Sequence, residues 1–112
     1  MWVFTQNGFI SAVRTASGSG DFKVRARDRK SLLALSEFAE VEIIATAFAD
    51  YPYRVIVGEL VLGAYLMNEI AAADYTNYKS RVSITRGTKF AHTCGSVWST
   101  MHEIEDGQAR NV

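Results

Sequence analysis

Basic and apolar side chains alternate along Phe22-Lys23-Val24-Arg25-Ala26-Arg27. Successive side chains of a β-strand point to opposite faces, so Lys23, Arg25 and Arg27 share one face of a predicted strand. Arginine binds a phosphate or a carboxylate through two parallel hydrogen bonds, which makes this face a candidate anion-binding surface. The structural alternative is a solvated sheet face whose charges only prevent aggregation.

Two segments each contain a carboxylate, two tyrosines and a cation: Asp50-Tyr51-Pro52-Tyr53-Arg54 and Asp74-Tyr75-Thr76-Asn77-Tyr78-Lys79. Tyrosine and arginine are enriched at the energetic centres of protein interfaces, and tyrosine also stacks on nucleobases. The structural alternative is half-buried tyrosines and aspartates that cap turns. With the basic strand, the candidate contact residues for a protein or a nucleic acid are Lys23, Arg25, Arg27, Tyr53, Arg54, Tyr75, Tyr78 and Lys79.

Histidine and cysteine are spaced poorly for a metal or nucleophile site. His92 and Cys94 are two residues apart on a predicted helix and point to different faces, and His102 lies ten residues beyond His92, about 15 Å along the axis. The sequence also lacks the common hydrolase, metalloprotease and dinucleotide-binding motifs. We therefore expect no metal, no cofactor and no catalytic residue. A small hydrolase that uses Asp50, Asp74 or His92 is the third hypothesis for function.

Composition and charge restrict the class of protein. The chain has 112 residues, enough for one domain with a buried core, and its 12 Lys and Arg balance its 12 Asp and Glu. Zero net charge argues against a general polyanion binder, although it allows a local basic patch. The single cysteine, Cys94, excludes an intrachain disulfide and fits a reducing cytoplasm. The N-terminus does not have the pattern of a signal peptide, and polar residues interrupt the apolar run of residues 55–73, so we expect no membrane span.

The elements that position these residues begin with a predicted β-hairpin. Asn7-Gly8 lies between two β-rich runs and suits the two positive-φ positions of a type I′ turn. A two-residue loop there sets Trp2 opposite Val13. Four side chains then share one face, where they can seed a core: Trp2, Phe4, Phe9 and Val13.

Strand and helix patterns alternate after the hairpin. A Gly/Ser connector at 15–21 precedes the basic strand, and Asp28 is a predicted N-cap for a helix that ends near Ala39. Residues 80–87 fit a helix or a strand equally well. The remaining predictions are strands at 41–48 and 53–57 and helices at about 59–73 and 88–105, with Thr88 as a cap.

The order β-β-β-α-β-β-α-α predicts one α+β domain over residues 1–112, with a frayed tail at 106–112. Three strands with tight connections before the first helix favour an antiparallel sheet of about five strands. Helices packed on one face of that sheet give a two-layer fold.

Five blocks of residues carry a resemblance to a known family. They are Trp2-x-Phe4-Thr5-x-x-Gly8-Phe9-x-Ser11-x-Val13, Val24-Arg25-Ala26-Arg27, Asp50-Tyr51-Pro52-Tyr53-Arg54, Asp74-Tyr75-x-Asn77-Tyr78-Lys79, and His92 with Val97-Trp98. Together they resemble small uncharacterised accessory proteins of bacteria, phages and mobile elements. The resemblance covers most of the chain and implies a phage or mobile-element setting. It implies no catalytic role.

These observations favour a non-catalytic accessory protein of a phage or mobile element that binds and modulates a host protein in the bacterial cytoplasm, for example in anti-defence or host takeover. The alternative is a nucleic-acid binder that uses Lys23, Arg25 and Arg27 with the flanking tyrosines. A homodimer is a further hypothesis, because a strand beginning at Trp2 and lying at a sheet edge tends to pair with a copy of itself.

Overall fold

The computed structural model describes residues 1–107 and contains one antiparallel sheet of five strands in the order β1-β2-β3-β5-β4. The strands are β1 Trp2–Thr5, β2 Gly8–Arg14, β3 Asp21–Ala26, β4 Ile44–Ala45 and β5 Tyr53–Gly58. The helices are α1 Lys30–Ala39, α2 Glu59–Ala72, α3 Tyr78–Arg86 and α4 Thr88–Thr100, followed by a 3-10 helix, Met101–Ile104. The predicted α+β class and the five-stranded antiparallel sheet are confirmed. The predicted order of eight elements occurs with one more helix, because residues 80–87, which fitted a helix or a strand, form most of α3 and the residue after it.

Most of the predicted frayed tail, residues 108–112, lies outside the described residues. Within residues 1–107, no helix is long and apolar enough to cross a membrane.

Helices α1 and α2 cover one face of the sheet and form the core with it. The alternation predicted for β3 is confirmed, because Val24 and Ala26 are fully buried while Lys23 and Arg25 lie on the opposite face. Leu32 and Leu35 of α1 pack on this buried face together with α2. We call the opposite side of the sheet the open face; its residues are Trp2, Phe4, Phe9, Ser11, Val13, Lys23, Arg25, Arg54 and Ile56.

The first hairpin turns one residue earlier than predicted. Thr5 pairs with Gly8 and Trp2 pairs with Ser11, so the turn residues are Gln6 and Asn7. Each pairing is displaced by two residues from the prediction, which leaves every side chain on its expected face. The aromatic side chains therefore share a face as predicted, but the core forms on the other side of the sheet.

A close approach from distant segments explains why Gly8 belongs to the strand. Its φ is 137°, and a Cβ at this position would overlap Ser31 Oγ of α1 and Arg86 Nη1 of α3. Only glycine accepts both that backbone geometry and that contact. The residues of the turn alone do not reveal this contact, because Ser31 and Arg86 are far from Gly8 in the sequence.

Two further local predictions are corrected. Asp28 does not cap α1; its carboxylate instead accepts a hydrogen bond from Ser31 Oγ and pairs with Arg86. The strand predicted at 41–48 shrinks to Ile44–Ala45, and the chain beyond it turns through Phe48, whose φ is 64°. A positive φ is incompatible with a continuing strand.

The helices α3 and α4 pack on each other and are fixed to the first hairpin. The Tyr78 hydroxyl donates to the carbonyl of Thr5 at 2.9 Å, and Arg86 Nη1 donates to the carbonyl of Asn7 at 2.7 Å. These bonds hold α4 beside the aromatic end of the open face.

Candidate binding groove

A groove separates the aromatic end of the open face from α4. One wall contains Trp2, Phe4 and Phe9, and the other contains Phe90, Cys94 and Val97. This cavity of about 300 Å³ continues into a second cavity of about 670 Å³. The two share Phe4, Cys94 and Val97, and the second is also lined by Tyr78, Lys79, Trp98 and Met101. We call the continuous cleft the sheet–helix groove.

Aromatic rings at both ends of the groove are exposed to solvent. Phe4 stacks on Phe9 with ring centroids 4.7 Å apart, and Trp2 meets Phe9 edge-on at 5.5 Å. Trp2 remains 68% exposed and Trp98, at the other end, 63% exposed. Exposed apolar surface beside a cleft is characteristic of an interaction site, and Trp and Tyr dominate the binding energy of such sites.

Two arginines stand side by side on the open face. The cross-strand row Ser11, Arg25, Arg54 and Ile44, which we call the arginine row, contains no carboxylate. Arg25 Nη2 donates to Ser11 Oγ at 2.7 Å, and Arg54 Nη1 donates to Thr46 Oγ1 at 2.7 Å. Like charges directly opposite each other destabilise a strand pair, so this row is a concentration of uncompensated positive charge.

Tyr51 connects the arginine row with the groove. Its ring centroid lies 4.5 Å from the Cζ atoms of both Arg25 and Arg27, and the same side chain lines the groove. Arg27 Nη1 also donates to the Asp50 carboxylate at 3.0 Å, and this hydrogen bond raises the pKa of the Arg27 guanidinium. The tyrosine is thus held by two cations at the boundary between the aromatic and basic parts of the surface.

The far end of the groove contains a half-buried tyrosine and a lysine. Burial, and secondarily the neighbouring Cys94 thiol, raise the pKa of Tyr78, so its hydroxyl stays protonated and donates to Thr5. Lys79 Nζ lies 5.9 Å from the ring centroid of Trp98, within cation–π range. This end therefore also combines an aromatic surface with a positive charge.

Most predicted contact residues border this one surface. Lys23, Arg25 and Arg54 lie on the open face, Arg27 follows at its edge, and Tyr78 and Lys79 line the groove. The remaining two lie elsewhere. Tyr53 packs against the core. Tyr75 lines a third cavity, beside α2, which shares Phe4 with the groove, and its ring centroid is 6.2 Å from that of Tyr78. A contact role for all eight residues stays a prediction.

Sequence reasoning missed the aromatic part of the surface. Trp2, Phe4 and Phe9 were expected to seed a core, and Tyr51 and Trp98 were not among the candidate contacts. The missing information is the pairing of β2 with β3 across the 15–21 connector, which sets Ser11 opposite Arg25 and joins the aromatic face to the basic face. The signal available in the sequence was the concentration of Trp and Phe on one face of the hairpin.

The residues of the hydrolase hypothesis bind separate partners. Asp50 pairs with Arg27, whereas Asp74 pairs with Arg81 of α3 at 2.8 Å. His92 is exposed on α4 and does not line the groove. Across residues 1–107, no three His, Cys, Asp or Glu side chains are grouped to hold a metal ion.

Comparisons with protein-family models, with curated proteins and with solved structures find no match to this chain. The functional conclusion therefore depends on the residues and the geometry of the groove.

Proposed function

We propose that the protein is a small accessory protein of a phage or mobile element that binds a host protein in the sheet–helix groove. It acts without catalysis, in the cytoplasm of a bacterial host, by occupying or reshaping a functional surface of that partner. The resemblance of five sequence blocks supports the phage setting, and the geometry of the groove supports the binding site.

One observation carries the proposal. Segments far apart in the chain bring exposed aromatic rings to one concave surface, and two arginines unpaired among residues 1–107 lie next to it on the open face, in contact with it through Tyr51. Such a surface has the composition of an interface centre, in which aromatic residues and arginine supply most of the binding energy. The chain as a whole has no excess of positive charge, which favours a protein partner over a nucleic acid.

The test is affinity capture from host lysate by the purified protein, with and without nuclease, followed by mass spectrometry and binding of the purified candidate. Val97→Asp places a charge between the two walls of the groove, and Trp98→Ala removes its exposed ring. We expect one stoichiometric protein that survives nuclease and is lost with either variant. The physical reason is that each change removes apolar area from the contact.

Met67→Ala is the matched control, because Met67 lies on α2 away from the groove and is 65% exposed, close to the exposure of Trp98. The control should capture the partner as the unmodified protein does. A partner that binds all three variants equally well would contradict the proposed site.

Nucleic-acid binding is the second candidate, and the arginine row favours it. Single-stranded nucleic acids bind surfaces where bases stack on aromatic rings beside a basic track. Three phosphate contacts, by Lys23, Arg25 and Arg54, predict that log K against log salt has a slope of about −2. Fluorescence anisotropy with labelled oligothymidylate at low salt measures this slope, and absence of binding there would eliminate the candidate.

A further inference from the structure

We infer that the partner segment bound in the groove is acidic. A bulky apolar side chain enters the groove, and aspartate or glutamate carboxylates next to it bind the arginine row. This inference rests on the proposed function and names the chemistry of the partner.

The charge pattern of the chain supports an acidic occupant. Four arginines form salt bridges within the chain, to Glu59, Asp50, Asp74 and Asp28. Lys23, Arg25 and Arg54 form none among residues 1–107, although they neighbour one another on the open face. Arg29, which is exposed before α1, is also unpaired among these residues, so what distinguishes the surface beside the groove is that two unpaired arginines lie directly opposite each other there. A carboxylate over the arginine row would remove the repulsion between the two guanidinium groups.

Hydrogen-bond donors of the arginine row that have no partner within the described residues also support an acidic occupant. A guanidinium has five N–H groups, and Arg25 uses one to bind Ser11 Oγ. Its Nε is buried and has no partner within the described residues. An external carboxylate cannot reach a buried atom, so the donors available to an acidic partner are the remaining Nη N–H groups of Arg25 and of Arg54, which uses one of its own to bind Thr46 Oγ1.

The apolar half of the surface suits an amino-acid side chain better than a nucleobase. The cavity between Phe9 and Val97 has walls from the sheet and from α4, so an occupant is enclosed from both sides. Phe4 already covers one face of Phe9, and Trp2 meets the same ring edge-on, so a base would have to stack on the exposed rings of Trp2 or Trp98 rather than inside this cavity. An apolar anchor flanked by carboxylates fits both halves of the surface.

Selection of a random displayed peptide library on the immobilised protein tests the inference. We expect enrichment of peptides in which an aromatic or large aliphatic residue is flanked by Asp or Glu. An enriched peptide should bind Arg54→Gln about tenfold more weakly, since a charge-assisted hydrogen bond is lost. Arg54→Lys should restore part of this affinity. Arg54 is preferred to Arg25 for substitution because Arg25 also stacks on Tyr51.

Lys30→Gln is the control, because it removes one positive charge from the exposed first residue of α1. Peptides that are enriched on the groove without acidic residues would overturn the inference while leaving the proposed function intact. No enrichment above bare support would overturn both. Tighter binding of oligothymidylate than of any peptide, abolished by Arg54→Gln, would replace the acidic peptide with a nucleic acid.

Discussion

At the scale of single residues, Gly8 is the position where the fold tolerates least change. Its backbone lies against the side chains of Ser31 and Arg86 in a conformation that L-residues rarely adopt. We expect Gly8→Ala to lower the free energy of unfolding by about 3 kcal/mol, from overpacking and backbone strain together. Urea unfolding followed by circular dichroism measures the change.

Gly63 provides the matched control for this substitution. It lies in α2 with open space where an alanine Cβ would be placed, so Gly63→Ala should raise the free energy of unfolding by up to about 1 kcal/mol through helix propensity. Equal effects of the two substitutions would show that the contact at Gly8 has no special role.

The raised pKa of Tyr78 predicts that the folded protein loses stability at alkaline pH. Burial raises its pKa in the folded protein, so the folded state keeps the phenol proton when the unfolded chain has lost it. The contribution is complete below the unfolded pKa of about 10 and is lost as pH rises toward the folded value. Tyr78→Phe cannot ionise, and we expect its stability to fall less steeply between about pH 9 and pH 11 than that of the unmodified protein.

Chemical denaturation over that pH range gives both slopes. The variant should be less stable by about 1 kcal/mol at pH 8, because the hydrogen bond to Thr5 is lost. Parallel curves for the two proteins would contradict a contribution from Tyr78.

At the scale of elements, Arg86 fixes the α3–α4 pair to the rest of the fold. Its side chain is 9% exposed, pairs with Asp28, and donates to Ser31 Oγ and to the carbonyl of Asn7. Arg86→Gln removes the charge from this site and leaves the Asp28 carboxylate unpaired. We expect faster amide exchange in α3 and α4, with little change in β3 and β5, as measured by hydrogen–deuterium exchange.

Arg29→Gln, at the exposed residue before α1, controls for the loss of one charge and should change no segment. An equal rise in exchange over the whole sheet would mean that α3 and α4 unfold together with the core and are not a separate unit.

Some features of the strands and helices were predicted correctly from the sequence, and others were not. The alternation around Val24 and the stripe around Leu32 are local patterns, and both predict the buried face correctly because side-chain periodicity fixes it. The hairpin register depends on a contact between Gly8 and Arg86, which are far apart in the chain. The groove depends on how β2 pairs with β3, and no local pattern encodes that register. The basic residues beside the groove and Tyr78 were therefore predicted, while Trp2, Phe4 and Phe9 were assigned to the core.

At the scale of the whole molecule, β1 offers a route to self-association. It lies at the edge of the sheet, as the homodimer hypothesis required. Met1 and Ala12 exchange both backbone hydrogen bonds, at 2.9 and 2.8 Å, so the next residue, Trp2, points its N–H and C=O away from β2. We predict a concentration-dependent dimer in light scattering that Trp2→Pro abolishes and Trp2→Val retains, since only proline lacks the N–H donor.

A substitution at Leu60 on α2 tests whether the dimer forms through β1 or through another exposed apolar surface. It is 86% exposed, and Leu60→Glu should leave the dimer intact if β1 forms the interface. A monomeric mass at all concentrations, or a dimer lost with Leu60→Glu alone, would contradict pairing through β1.

Site-specific photo-crosslinking in host cells tests the claim that the sheet–helix groove binds a host protein. Benzoylphenylalanine replaces Trp98 in the groove or, in a second protein, Met67 on α2. We predict that the probe at Trp98 captures one host protein and that the probe at Met67 captures none. The same set of proteins at both positions, or no protein at Trp98, would contradict the claim.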